Sequence, residues 1–125
     1  MPTAKENKVL VQSKAFAVRI IRLYQYLTSN KQEFIIAKQI LRSGASIGAN
    51  ISEAQGAQTK ADFIYKVQIS LKEANETEYW LDALCQTGYI TQPQYDSMKA
   101  DLDSLIFMMI RILKTAKSNS QNPKT

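Results

Sequence analysis

Apolar residues recur every three or four positions in four long segments of this sequence, and short polar stretches separate the segments. This spacing places the apolar side chains of each segment on one face of an α-helix. Long helices that are joined by short turns pack as antiparallel neighbours. The sequence therefore predicts an all-α fold, an antiparallel up-and-down four-helix bundle.

The predicted helices span residues 9–29, 33–55, 60–87 and 91–117 of a single domain that covers residues 1–125. Residues 1–8 and 118–125 are polar, and we expect them to be flexible tails. The predicted core comprises Val9, Phe16, Ile20, Leu23, Tyr24 and Leu27 of the first helix, Phe34, Ile36, Ile40, Ile47, Ile51 and Ala54 of the second, Phe63, Val67, Leu71, Ala74, Leu81 and Leu84 of the third, and Tyr95, Met98, Leu102, Leu105, Met109, Ile112 and Leu113 of the fourth.

Glycines and threonines mark the local geometry of these helices. Gly44 and Gly48 lie one turn apart inside the second helix, where together they cost about 2 kcal/mol relative to alanine. We interpret them as a site where another helix approaches closely, because the Walker spacing of a phosphate-binding loop is absent. Thr59 and Thr91 are predicted N-caps of the third and fourth helices, and Gly88 is a predicted left-handed residue after the third.

The composition excludes several classes of enzyme. The chain has no histidine, which rules out Ser-His-Asp and Cys-His catalysis and the Glu-x-x-His ligands of di-iron bundles. Cys85 is the single cysteine, so no intrachain disulfide forms, and we expect it to be a small buried residue. Neither a signal peptide nor a membrane-spanning stretch is evident. We expect a soluble, cytoplasmic protein without a cofactor or a metal site.

Polar residues at helical spacing share one side of the second and third helices. They are Arg42, Ser46, Asn50 and Glu53 on the second helix, and Ser70, Glu73, Glu76, Thr77 and Trp80 on or beside the same line of the third. One interpretation is a catalytic or metal-binding set of carboxylates. The interpretation that we favour is a structural network of Arg42, Ser46, Asn50, Glu53, Glu73 and Glu76 that fixes the register of the two helices.

Basic residues concentrate on the first helix and at the end of the fourth. The formal charge is +5, and residues 104–125 contain four basic side chains and no acidic one. An antiparallel bundle brings the end of the fourth helix beside the start of the first. The candidate phosphate-binding residues are Lys8, Arg19, Arg22, Arg111, Lys114 and Lys117. For the cations of the first helix, a solvated surface without a ligand is the alternative interpretation. No aromatic–basic motif indicates base-specific recognition.

The first and fourth helices also carry more apolar residues than one bundle core needs. Val11 and Val18 extend the apolar surface of the first helix, and Phe107 and Ile110 lie outside the stripe of the fourth. Such a surplus is typical of a surface between subunits.

The stretch QILRSGASIGANISEAQGA, followed by ADFIYKVQISLKEANETEYWL and Gly88, resembles a known family. Its members are four-helix-bundle proteins encoded in intervening sequences of bacterial large-subunit ribosomal RNA genes, and they include the accessory protein of diversity-generating retroelements. The resemblance is most specific at Arg42-Ser43, Ser46-Ile47, Asn50-Ile51, Glu53-Ala54, Phe63, Glu73-Ala74, Glu76 and Trp80-Leu81. It implies an up-and-down bundle that assembles as a homopentamer without enzymatic activity. For the retroelement branch, it implies binding to nucleic acid and to a reverse transcriptase.

Two functions are consistent with these features. The first is a non-enzymatic oligomeric protein that associates with RNA or DNA through the basic surface of the first and fourth helices. The second is a structural or scaffolding oligomer that binds protein partners, for example a reverse transcriptase, without binding nucleic acid itself. A carboxylate enzyme is the third and least favoured hypothesis, and it predicts bound metal.

Overall fold

The computed structural model describes residues 4–121, and the side chains of residues 8–118. Four α-helices follow one another: α1 (Ala4–Ser29), α2 (Ile35–Gln55), α3 (Lys60–Gln86) and α4 (Gln92–Gln121). Each helix packs against two neighbours, in the cyclic order α1–α2–α3–α4, and within residues 4–121 no strand occurs. The predicted all-α four-helix bundle is confirmed.

Hydrogen bonds between α2 and α3 show the antiparallel direction of these helices. The hydroxyl groups of Ser43 and Thr77 lie 2.9 Å apart, and the hydroxyl of Ser70 donates to the carbonyl oxygen of Ile47 at 2.8 Å. Residue numbers therefore rise along α2 as they fall along α3. The three turns are short, so successive helices run up and down, as expected.

The outer ends of the bundle differ from the predicted boundaries. Helix α1 begins at Ala4 rather than residue 9, and α4 continues to Gln121. Residues 4–8 and 118–121 are therefore helical. The remaining residues of the predicted tails, 1–3 and 122–125, lie outside the described residues.

The start of α2 is set by Glu33, which lies inside the predicted helix. Its carboxylate accepts hydrogen bonds from the backbone N–H groups of Ile35 (2.9 Å), Ile36 (2.7 Å) and Ala37 (3.2 Å). These are donors that the first turn of a helix leaves without an intrahelical partner. The carboxylate also carries a negative charge at the positive end of the helix dipole. Glu33 therefore acts as the cap of α2, and the helix begins two residues later than predicted.

The predicted caps of α3 and α4 are present. The hydroxyl of Thr59 accepts a hydrogen bond from the N–H of Asp62 at 3.0 Å. Thr91 and Gln94 form a reciprocal capping box, because each side chain accepts from the backbone N–H of the other residue, at 3.3 and 2.8 Å. Gly88 has a φ of +82°, so the predicted left-handed residue after α3 is confirmed.

The helical stripes form one continuous core. Its larger fully buried side chains are Val9, Phe16, Ile20, Leu27, Ile40, Ile47, Ile51, Leu81, Leu84, Leu102, Leu105 and Met109. Leu23, Tyr24, Ile36, Phe63, Leu71 and Tyr95 are partly buried against it. The prediction for Phe34 was wrong, since this side chain is 53% exposed. Phe34 lies in the turn before α2, where helical spacing no longer determines which face a residue occupies.

The glycines of α2 lie against α1. A Cβ atom at Gly44 would come within 2.7 Å of Cγ1 of Ile20, and one at Gly48 would lie 3.2 Å from the carbonyl oxygen of Ser13. A side chain at Gly44 would force Ile20 to shift, and one at Gly48 would make an unusually tight contact with Ser13. The predicted close approach of another helix is confirmed, and that helix is α1.

Candidate functional site

Arg42 on α2 and two glutamates of α3 form an ion-pair cluster on the surface of the bundle. The guanidinium of Arg42 donates hydrogen bonds to Glu73, at 3.1 Å, and to Glu76. The indole N–H of Trp80 also donates to Glu76, at 3.1 Å. The Arg42 side chain is 51% exposed, so the cluster lies at the rim of the α2–α3 contact and not in the core.

The hydrogen bonds of this cluster favour the charged forms of Arg42 and Glu76. The hydrogen bond from Arg42, reinforced by that from Trp80, lowers the pKa of Glu76 below its ordinary value. The same hydrogen bond raises the pKa of Arg42. A general acid or base works best with a pKa near the operating pH, and the pKa of Glu76 is moved in the opposite direction. The arrangement is that of an ion pair that links two helices.

The other residues of the proposed network do not join this cluster. The hydroxyl of Ser46 donates to the carbonyl oxygen of Arg42, and the amide of Asn50 donates to the carbonyl oxygen of Ser46 at 2.8 Å. Both bonds lie within α2. Glu53 instead forms an ion pair with Lys66 of α3, at 2.7 Å. The six residues are therefore divided between an interhelical cluster, two local bonds and a separate ion pair.

The buried polar contacts between α2 and α3 come from residues that the proposed network omitted. Ser43, Ser70 and Thr77 are fully buried, and their hydroxyl groups make the hydrogen bonds that join the two helices. A signal was present in the sequence, because Ser70 and Thr77 continue the apolar stripe of α3 at helical spacing. Small hydroxyl residues are compatible with either the buried or the exposed face, so spacing alone did not decide between them.

Arg19, one of the candidate phosphate-binding residues, is bound within the protein. Its guanidinium donates to Asp101 of α4 at 2.7 Å, and to the hydroxyl and carbonyl oxygens of Ser97 at 2.9 and 3.2 Å. This ion pair links α1 to α4 along the seam, which is the line of contact between the two helices. Arg22 is exposed and lies three residues farther along α1.

The remaining candidate cations lie at one end of the bundle. The side chains of Gln12 and Ser104 are in contact across the α1–α4 seam, with their oxygens 3.4 Å apart. Lys8 lies one turn before Gln12, and Arg111 lies two turns after Ser104, so both occupy the same end. With Lys114 and Lys117, these residues form a surface that we name the basic end. All four side chains are exposed.

The cations of the basic end have no ion-pair partner among the residues whose side chains are described. Among the side chains of residues 8–118, no carboxylate lies within ion-pair distance of Lys8, Arg111, Lys114 or Lys117. Arg111 lies over the ring of Phe107 on the same helix, 5.6 Å from the ring centroid. The basic end therefore combines exposed positive charge with an aromatic ring.

Apolar side chains are exposed on α1 as the sequence predicts. Val11 is 69% exposed, and Val18 and Ile21 are also exposed. Between Val11 and Ile21, a groove of about 710 Å³ runs along the α1–α2 contact. Its floor is made of small residues, among them Ala45 and Gly48. Within the described residues, no further helix packs against this surface.

Neither a metal-binding cluster nor a membrane-spanning helix occurs in the described part of the chain. Within residues 4–121, no group of three or more Cys, Asp or Glu residues is arranged to hold a metal ion. None of the four helices, over the same residues, is both long and apolar enough to cross a membrane.

Comparison with known proteins gives the family of the chain. No curated protein matches it. It is 55% identical to a protein of unknown function from the S23 ribosomal protein family of Bacteroides thetaiotaomicron, whose crystal structure superimposes with a TM-score of 0.87. That similarity covers 88% of this chain and 98% of the other. Residues 5–111 match the model of the 23S rRNA-intervening sequence protein family. The predicted resemblance is therefore confirmed, and the chain belongs to the 23S rRNA-intervening sequence protein family.

Proposed function

We propose that this protein is a non-enzymatic, oligomeric bundle that binds the phosphate backbone of RNA or DNA through the basic end. The observation that carries the proposal is the clustering of four exposed cations, Lys8, Arg111, Lys114 and Lys117, at one end of the bundle. None of the four has an ion-pair partner among the side chains of residues 8–118. Such cations are available to phosphate groups, and each phosphate that they neutralise releases condensed counterions.

Self-association would multiply this surface. The exposed Val11, Val18 and Ile21, together with the groove of small residues beside them, support an interface between copies on the α1–α2 side. The resemblance to the family implies a homopentamer, and in a ring each copy contributes one basic end. Several weak sites on one particle bind a long nucleic acid far more tightly than a single site does.

The non-enzymatic part of the proposal is supported by the state of the carboxylates. Glu73 and Glu76 are both bound to Arg42, and Glu53 is bound to Lys66. The sequence contains no histidine that could transfer a proton near neutral pH. We expect the protein to act in the cytoplasm, as a binding protein.

The test is the salt dependence of binding to labelled RNA and DNA, measured by fluorescence anisotropy. We expect the logarithm of the affinity to fall linearly with the logarithm of salt concentration between about 50 and 200 mM, with a slope of about −0.9 per phosphate contact on duplexes. The double variant Lys114→Glu/Lys117→Glu should bind every sequence more weakly and give a shallower slope. The double variant Lys38→Glu/Lys72→Glu changes the charge equally at exposed positions of α2 and α3, and it should cause a smaller loss.

The second candidate is a scaffolding oligomer that binds proteins only. The exposed groove on the α1–α2 side favours it, because an apolar surface of this kind suits a protein partner. Absence of any nucleic-acid binding at low salt, together with an oligomer in light scattering, would support this candidate and exclude the first.

A further inference from the structure

Phe107 is an exposed aromatic residue within the basic end. It is 61% exposed and lies on the side of α4 opposite the buried residues Leu102, Leu105 and Met109. The core therefore does not use this ring, and an exposed phenylalanine contributes little to folding. Its surroundings are cationic, since Arg111 follows one turn later on the helix and Lys114 two turns later.

The ring and the guanidinium form a pair that suits one type of ligand. Arg111 lies over the ring of Phe107 at 5.6 Å from its centroid, which is a cation–π arrangement. An unpaired nucleobase can stack on the aromatic ring, and the phosphates on either side of it can contact the adjacent cations. Residues 104–121 contain no acidic side chain that would repel those phosphates.

We propose that Phe107 and Arg111 make the basic end a site for single-stranded nucleic acid, in which Phe107 stacks on an unpaired base and Arg111 and Lys114 contact the flanking phosphates. The inference rests on the proposed function, because it assumes that phosphates bind at the basic end. Bases inside a duplex are already stacked and paired, so they offer no free face to the ring. Phe107 therefore contributes to the binding of single strands and not to that of duplexes.

The test compares an unstructured labelled oligouridine with a blunt RNA duplex that carries the same number of phosphates. Phe107→Ala should weaken oligouridine binding roughly 5- to 150-fold, the range measured for the loss of one base–aromatic stack, and leave duplex binding unchanged. Phe107→Leu should show the same selective loss, because leucine keeps apolar bulk without an aromatic face. Phe34→Ala removes a similarly exposed aromatic side chain in the turn at the opposite end of the bundle and should change neither affinity.

The outcomes separate this inference from the proposed function. If the wild-type protein binds both nucleic acids with the expected salt dependence, and Phe107→Ala weakens neither or both equally, the stacking site is refuted while phosphate binding stands. If the wild-type protein binds neither, the proposed function fails, and this inference fails with it. Two other results for Phe107→Ala would also refute the stacking site. A change of oligomeric state would assign the ring to a contact between copies. Selective loss of binding to vesicles of anionic lipid would assign it to a membrane surface.

Discussion

The hydroxyl oxygens of Ser43 and Thr77 lie 2.9 Å apart at the fully buried centre of the α2–α3 contact. The Thr77 hydroxyl also lies 2.8 Å from the carbonyl oxygen of Glu73, one turn earlier on its own helix. Such a pair stabilises one register of the two helices, because sliding either helix by a turn would separate the two buried hydroxyl groups and remove the hydrogen bond between them.

We expect Thr77→Val to destabilise the protein by about 1–3 kcal/mol, because the substitution keeps the side-chain shape but leaves the buried hydroxyl of Ser43 without this partner. Chemical denaturation measures the effect. Thr115→Val makes the same change at an exposed position of α4 and should alter the free energy of unfolding by less than about 0.5 kcal/mol. The double variant Ser43→Ala/Thr77→Val should lose less stability than the sum of the single variants. Strict additivity would show that the two hydroxyl groups are not coupled.

Gly44→Ala should lower the stability despite the higher helix propensity of alanine. The new methyl group would meet three carbon atoms of Ile20 at 2.7–2.9 Å, and Ile20 is fully buried. Overpacking of this kind costs about 1–3 kcal/mol, against a gain of up to about 1 kcal/mol from propensity. The comparison is Gly56→Ala, where the nearest atom lies 3.8 Å away, and thermal unfolding of both variants measures the difference. A Gly44→Ala protein as stable as wild type would mean that α1 and α2 can separate without cost.

Removing the carboxylate of Glu33 should loosen the start of α2. We expect Glu33→Ala to reduce the free energy of unfolding by about 1–2 kcal/mol, because the N–H groups of Ile35, Ile36 and Ala37 lose their acceptor. Glu33→Gln keeps an acceptor oxygen and should lose less. Amide hydrogen exchange at Ile36 and Ala37 would locate the change, and unaltered exchange there in Glu33→Ala would contradict the assignment of Glu33 as the cap.

The ion pair of Arg42 and Glu76 predicts a loss of stability in acid. The pKa of Glu76 is lowered in the folded protein. The ion pair therefore contributes its full stabilisation above the ordinary pKa of 4.5, and this stabilisation disappears as the pH falls through the lower folded pKa. In Glu76→Gln this contribution, about 1 kcal/mol or less for an exposed pair, is absent at every pH. The stability difference between wild type and variant should therefore vanish in acid. Trp80 is the only tryptophan and contacts Glu76, so its fluorescence reports unfolding at this position. A difference that is constant down to low pH would argue against the ion pair.

The sequence was sufficient for the bundle but for only part of its polar contacts. Helical spacing placed Ile20, Leu81 and Met109 in the core because burial follows a period that is local in the chain. Helical spacing failed at Phe34, because the Glu33 carboxylate caps α2 and the helix begins only after Phe34. The pairing of Arg19 with Asp101, 82 positions away, depends on the relative register of α1 and α4, which no local pattern contains.

That pairing changes the expected role of Arg19, and it gives a prediction that separates stability from binding. Arg19→Ala should lower the free energy of unfolding by about 1 kcal/mol, because it removes the ion pair with Asp101 and the bonds to Ser97. It should reduce nucleic-acid affinity less than Lys114→Ala does, since the Lys114 side chain is not paired within residues 8–118.

Asp101→Asn should instead raise nucleic-acid affinity, because it removes a negative charge and releases Arg19 for phosphate contact. Anisotropy titrations at equal salt compare the three variants. If Arg19→Ala weakens binding as much as Lys114→Ala, then Arg19 leaves Asp101 when nucleic acid binds, and the phosphate-binding surface extends along the α1–α4 seam.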